Sequence, residues 1–334
     1  MSELMDKKSF FEKYRIKEET FEGTDLKWEE LKSIYNDYIS YRPLLESTGK
    51  TIADLLRTHP DAHTVRMRIK NPEHLIEKLI RKKAENNDFS FDLKDYKTKI
   101  TDLIGVRVLH LYKDQAINLD EMIRENWELA EPVTIYFRHG DIDDDEKAEL
   151  EAEGKFNVKK HSAGYRSWHY LIKSRLTKEE TLAEIQIRTI FEEGWSEIDH
   201  QLRYPYYVGD QILTNQLLVL NRLAGSADEM VNSIKETLER FKELNKEKQE
   251  SQDTIEELRK EIRNLNLKKP QSESLLELVN NIERKQSYFS IPDFSHLAEA
   301  MERAQKIGGI DALKRAAESI SIAQIASKPT KENK

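Results

Sequence analysis

Between residues 10 and 59 the apolar side chains recur at helical spacing. Trp28, Leu31, Ile34, Tyr35 and Tyr38 form one stripe, and Ile52, Leu55 and Leu56 form a second. Beyond residue 60 the period shortens to two, the signature of a strand with one apolar face. Five segments read this way: Thr64 to Ile69, Ile104 to His110, Val133 to His139, Ser167 to Lys173 and Ala183 to Thr189. Helices fall between them, notably Pro72 to Lys83, opened by Asn71 and Pro72 as an N-cap and N1 pair, and Leu119 to Trp127. Strands interleaved with helices in unequal order predict an α+β fold with a mixed five-stranded sheet flanked by helices. The acidic run GDIDDDEKAELEAEG, from Gly140 to Gly154, reads as a solvated loop or short helix. Its Asp141, Asp143 and Asp145 have calcium-loop spacing, but position six lacks glycine and position twelve is Ala152, which removes that reading.

From Gln211 the chain reads as nearly continuous helix. A heptad spans Ile234 to Leu265, with Ile234, Phe241, Lys248, Ile255 and Ile262 at a and Thr237, Leu244, Ser251, Leu258 and Leu265 at d. The polar break at Lys248 and Ser251 leaves two readings, an antiparallel hairpin and a single coiled coil. Pro270 ends the stretch, helix resumes from Glu273 to Lys285, and an amphipathic segment near His296 to Ile322 precedes a disordered tail, SKPTKENK. The expected organisation is an N-terminal helical region over 1–60, a catalytic domain over 61–210, a helical extension over 211–268, and C-terminal helices with a tail over 269–334.

Composition narrows the class. Of the 334 residues 35% are charged and 38% hydrophobic, and no apolar run approaches the roughly 20 residues of a spanning helix, so no membrane partner is expected. The N-terminus MSELMDKKSFFEKY is charged from its start and lacks the apolar core of a secretory signal. With no cysteine there is no disulfide framework, thiolate zinc site or thiol nucleophile, and a cytoplasmic location is expected. A net charge of -8 does not suggest a general polyanion binder, so any phosphate affinity must be local.

The chemistry gathers on the strands. Arg66, Arg68 and Lys70 alternate with Val65, Met67 and Ile69, and Lys78, Arg81 and Lys82 follow on the next helix. Asp102 stands at the entrance of the second strand, where Gly105 and Arg107 share one face. Glu184, Gln186 and Arg188 share a face of the last strand, opposite Ile185 and Ile187. Acids beside cations at strand ends suit a magnesium-bound triphosphate, which needs hard oxygen ligands for the metal and cationic clamps for the phosphates. Between the acids lies HSAGYRSWHYL, in which Gly164 opens a loop, Tyr165 offers a flat stacking surface and His169 sits on the following strand. No GxxxxGK[ST] or GxGxxG occurs, so the common glycine-rich phosphate loops are absent.

The ordered segments RIKNPEHLIEKLIRKK, TDLIGVRV, GYRSWHYLI and EIQIRTIFEEGWSEIDHQLRY resemble the synthetase domain of the RelA/SpoT family, the (p)ppGpp synthetases, over roughly Thr64 to Tyr207. The resemblance implies a nucleotidyltransferase-like sheet and transfer of the β,γ-pyrophosphate of ATP to the 3′-hydroxyl of GTP or GDP, a GTP pyrophosphokinase activity of the stringent response. By motif it implies Asp102 as the Mg2+ aspartate and Glu184 as the second acid, metal ligand or general base. It likewise implies Arg68 and Arg107 around adenine, and Lys70, Lys78 and Arg81 on the phosphates. Tyr165 is implied to stack on the acceptor guanine, with Lys160, His169, Gln186 and Arg188 on the same side. No HD dipeptide of the family's hydrolase occurs, so a stand-alone synthetase is expected. The segment KFNVKKHSAG replaces the family's lysine-rich stretch before GYRS. Two alternatives share the fold: a toxic relative that pyrophosphorylates the 3′ end of tRNA, and a non-catalytic nucleotide-binding module. The C-terminal helices could pair within the chain or make a homo-oligomer.

Overall fold

The computed structural model describes residues 4–161, 163–203, 211–264 and 269–287. The expected amphipathic segment near residues 296–322 and the tail lie outside the described residues. The chain begins with α1 (Lys7–Tyr14), α2 (Glu18–Glu22) and α3 (Trp28–Leu56), then β1 (Thr64–Ile69), α4 (Pro72–Glu85), α5 (Tyr96–Lys99), β2 (Ile104–His110) and α6 (Gln115–Asn126). It continues through β3 (Glu128–Leu129), β4 (Val133–Phe137), α7 (Asp144–Ala152), β5 (Phe156–Lys160), β6 (Ser167–Ser174), β7 (Thr181–Thr189), α8 (Ile190–Arg203), α9 (Gln211–Asn264) and α10 (Lys269–Ser287). No helix among the described residues is long and apolar enough to cross a membrane.

The fold is mixed α+β, and all five expected strands form. The sheet nevertheless has seven strands, ordered β1-β2-β7-β6-β4-β5 with β3 on β6. The two additions escape periodicity for physical reasons. β3 spans two residues, and β5 lies at an edge with Val158 as its buried residue, so neither displays an alternating apolar face. Pairing is antiparallel for β1 with β2, β7 with β6 and β6 with β4, and parallel for β2 with β7 and β4 with β5. The acidic run forms α7, capped by Asp143, whose side chain accepts from Glu146 N.

One sheet face carries the core. Val106, Val108, Ile185 and Ile187 meet Leu31, Ile34, Tyr38, Leu45 and Ile52 of α3 and Leu75, Ile76 and Leu79 of α4, all buried. The expected stripes of α3 are buried except Trp28, which is half-buried, and Leu55, which faces out. Gly49 permits the close approach of α3: an added Cβ would lie 3.1 Å from Ile104 Cγ2 and from Met67 Cγ and Sδ. Asn71 caps α4 as expected, accepting from Glu73 N at 2.8 Å, with Pro72 at the first helical position. The other sheet face is left polar, and it is there that the site forms.

Two helices invert their apolar pattern. On α8, Trp195 is buried but Phe191, Ile198 and Leu202 are exposed, while Glu192 and Glu193 are buried. On the first half of α9, Asn221 and Asp228 are buried while Val219, Leu223 and Met230 are exposed. The chain forms two compact units, Met1–Leu238 and Glu239–Lys334. In the second, α9 runs without a break at Lys248 and Ser251, and the hairpin partner is α10. Ile255 and Ile262 pack with Val279 and Leu276, and Arg259 Nη2 donates to Asn280 Oδ1 at 2.8 Å.

Candidate active site

Register across β1, β2 and β7 assembles the polar face. Arg68 sits opposite Gly105 and Gly105 opposite Glu184, while Arg66, Arg107, Gln186 and His169 form the neighbouring row across four strands. A cleft of about 290 Å³ is lined by Arg66, Arg68, Gly105, Arg107, Glu184 and Gln186 of these rows together with Asp102 and with Glu197 of α8, while His169 lies outside its lining. Gly105 leaves room for the Arg68 side chain, since an added Cβ would touch Arg68 Cγ and Nε at 3.4 Å.

Asp102 follows α5 and precedes β2, and it meets Lys70 at the end of β1 and Lys78 on α4. Both ammonium groups lie 2.8 Å from the same oxygen, Oδ2. Burial disfavours the carboxylate, yet the two lysines outweigh it and hold the Asp102 pKa below its ordinary value. The other oxygen, Oδ1, is buried without a hydrogen-bond partner. A buried anionic oxygen left bare suits a hard cation. Among the described residues no group of three or more His, Asp or Glu side chains gathers to hold a metal. The arrangement therefore fits Mg2+ in the manner of one or two carboxylates completed by ligand phosphates and water, and does not fit an all-protein cage.

Glu184 begins a circuit of polar contacts. Its Oε1 lies 3.0 Å from His169 Nδ1 and accepts from Gln186 Nε2 at 3.0 Å. Gln186 Oε1 accepts in turn from Arg188 Nη2. Arg188 donates to Ser196 Oγ at 2.9 Å, and its guanidinium carbon lies 4.9 Å from the centre of the Tyr165 ring. Tyr165 Oη closes the circuit 2.9 Å from His169 Nε2. In a neutral ring, Nδ1 donates to the carboxylate and Nε2 accepts the tyrosine hydroxyl. Burial opposes ionisation of Glu184, but the bonds from His169 and Gln186 prevail and lower its pKa, so it is a carboxylate at neutral pH.

The remaining expected residues separate. Arg107 lines the cleft but is engaged by acids of α8: Nη1 lies 2.8 Å from Glu193 Oε1 and also contacts Glu197. Arg81 stays on the outer side of α4, paired with Glu77 at 3.1 Å and Glu85 at 3.5 Å, and does not line the cleft. Lys160 is exposed on edge strand β5 and also lies outside the lining. Sequence reasoning placed Arg66 on the cationic face of β1 without giving it a role, and it passed over Glu197 and Tyr136. Arg66 carried a signal, since it shares the cationic face of β1 with Arg68. Tyr136, whose ring centre is 4.9 Å from that of His169, could be placed only once β4 was known to pair with β6.

Residues 67–208 match the family described as a region found in RelA / SpoT proteins. GTP pyrophosphokinase YwaC of Bacillus subtilis (strain 168) is 27% identical over 192 residues, covering 56% of this chain and 80% of that protein. Among solved structures, small alarmone synthetase 1 from Bacillus subtilis bound to its product pppGpp is 24% identical, covering 60% of this chain and 95% of that one, with a TM-score of 0.41. A GTP pyrophosphokinase family protein from Streptococcus pneumoniae is 22% identical, covering 66% and 98%, with a TM-score of 0.39. The match runs from within β1 through α8, the elements that build the cleft, and residues 67–208 of this chain carry the region found in RelA / SpoT proteins.

Proposed function

We propose that this chain is a (p)ppGpp synthetase that moves the β,γ-pyrophosphate of ATP to the 3′-hydroxyl of GTP or GDP. One observation carries the reading: Asp102, ionised and with a bare buried oxygen, shares a cleft with ionised Glu184 and with Arg66 and Arg68, which have no ion pair among the described residues. The RelA/SpoT-type region and the likeness to YwaC support it.

In this reaction the acceptor oxygen bonds to the β-phosphorus, the bond from that phosphorus to the α,β-bridging oxygen breaks, and AMP leaves. In this reading Arg68 flanks the donor adenine, as the resemblance implies, Arg66 neutralises phosphate oxygens, and Lys70 and Lys78 exchange part of their hold on Asp102 for the incoming phosphates. Glu184 takes the hydroxyl proton, with His169 and Gln186 fixing its orientation. Tyr165 provides the stacking surface for guanine, and its bond to His169 links that surface to the base. Asp102 and Glu184 are the residues that would hold Mg2+, which would supply charge neutralisation during transfer. Positioning and electrostatics suffice for such a step without a covalent enzyme intermediate.

The test is transfer from ATP labelled in its β or γ phosphate, with Mg2+ and GTP, GDP or deacylated tRNA as acceptor. Label should enter a guanosine nucleotide with release of AMP. Asp102→Asn and Glu184→Gln should each reduce transfer by about 10²-fold or more while circular dichroism stays unchanged. Label in tRNA alone, or near-full activity in either folded variant, would overturn the reading.

A further inference from the structure

The loop that carries Tyr165 is held from outside the sheet, on both of its flanks. On one side Gly164, at φ 78°, offers its carbonyl to Asn221 Nδ2 of α9 at 2.9 Å, and Asn221 is fully buried. On the other side the Arg166 guanidinium is gripped by Asp141, with Nε at 2.5 Å and Nη2 at 2.9 Å, and by Glu192, with Nη1 at 2.5 Å. That guanidinium lies directly on α9 at Gly225. A Cβ there would stand 2.8 Å from Nη2, 3.0 Å from Nη1 and 3.1 Å from Cζ. One turn on, Asp228 accepts from Thr189 Oγ1 at 2.9 Å, the same hydroxyl that accepts from Glu192 N at the start of α8.

Asn221, Gly225 and Asp228 recur at steps of four and three, so they occupy a single face of α9. The face also buries Leu217, one turn before Asn221, and the Leu217 carbonyl accepts from Trp195 Nε1; α9 thus docks through a mixed face whose polar members engage the loop. None of the three lines the cleft.

We propose that this face of α9 is a positioning device for Tyr165, acting through Gly164 and Arg166, so that the first half of α9 sets the affinity for the acceptor nucleotide. The inference rests on the reading of Tyr165 as the acceptor's stacking surface. Arg188, Tyr136, His161 and His169 border the ring, but they act on the ring alone, whereas fixing the backbone on both sides fixes where the ring stands relative to the sheet. Stacking rewards a plane held to within about 10–20°.

Gly225→Ala is the decisive substitution. Alanine raises intrinsic helix propensity over glycine, so any loss cannot come from a weaker helix; it comes from the methyl group displacing Arg166. Asn221→Leu, which keeps the buried volume and removes the bond to Gly164, is the second variant. In the full chain, KM for GTP and GDP should rise on the order of 10-fold, with KM for ATP within about two-fold. Amide hydrogen exchange in peptides spanning Gly164 to Ser167 should speed up in both variants, while peptides from the central strands β2 and β7 keep their protection. Unchanged exchange in that loop, or a fall in kcat with both KM values unmoved, would overturn the proposal. A parent protein that transfers nothing to guanosine nucleotides would instead defeat the acceptor reading, and loop exchange would still report whether α9 holds the loop.

Discussion

Glu192 provides a quantitative test of the electrostatics behind α8. Its side chain is buried, and the single guanidinium of Arg166 must serve Glu192 and Asp141 together, with Asp228 close enough to add repulsion. Glu192 Oε2 has no hydrogen-bond partner. Burial is the main cause that pushes the Glu192 pKa from 4.5 up to about 7, overcoming the attraction of Arg166. Because the folded pKa lies above the unfolded one, the folded state binds more protons between pH 4.5 and 7, and stability must fall as pH rises through that window. The shift, 7 minus 4.5, corresponds to roughly 3 kcal/mol of stability present at the acidic end and lost above the folded pKa. Glu192→Gln removes the titration. Its stability relative to the parent should therefore improve by about 2 to 3 kcal/mol between pH 5 and pH 8, whatever constant offset the amide brings. Urea unfolding followed by circular dichroism across that range gives the number. A difference between variant and parent that is the same at both ends would refute the reasoning, and a difference that shrinks with rising pH would reverse its sign.

Two other substitutions test packing and the limits of the cleft. Gly49→Val places methyl groups against Ile104 and Met67, where a Cβ alone already reaches 3.1 Å, and should cost about 1–3 kcal/mol in urea unfolding; an unchanged midpoint would mean that α3 does not approach the sheet so closely. Arg81→Ala removes two exposed pairs on one helix, so stability should change by less than about 1 kcal/mol and the KM for ATP should stay put; a large rise in that KM would return Arg81 to the phosphate site.

The single sequence determined the local physics. Alternation along Thr64–Ile69, Ile104–His110 and Thr181–Thr189 sets which side chains share a strand face, because the pleat repeats every two residues. Arg68, Arg107, Glu184 and Gln186 could therefore be assigned to polar faces, and the Asn71 cap to the start of α4, before any coordinates. Which polar faces meet was a matter of register and strand order. Glu184 lies beside Gly105 and Arg68 because β7 pairs in parallel with β2 and β2 pairs antiparallel with β1, and strand pairing over such separations is not encoded in any local period. The engagement of Arg107 by Glu193 and Glu197, and the outward placing of Arg81 and Lys160, follow from the same assembly. β5 remained hidden because an edge strand with one buried residue has no alternation to read. The inversion of α8 and α9 was decided only by tertiary structure, for a different reason. Periodicity assumes that the apolar stripe faces the core, whereas here Arg166 and the Gly164 carbonyl present buried polar groups that Glu192 and Asn221 must satisfy, and leaving such groups unpaired costs more than exposing a few aliphatic side chains.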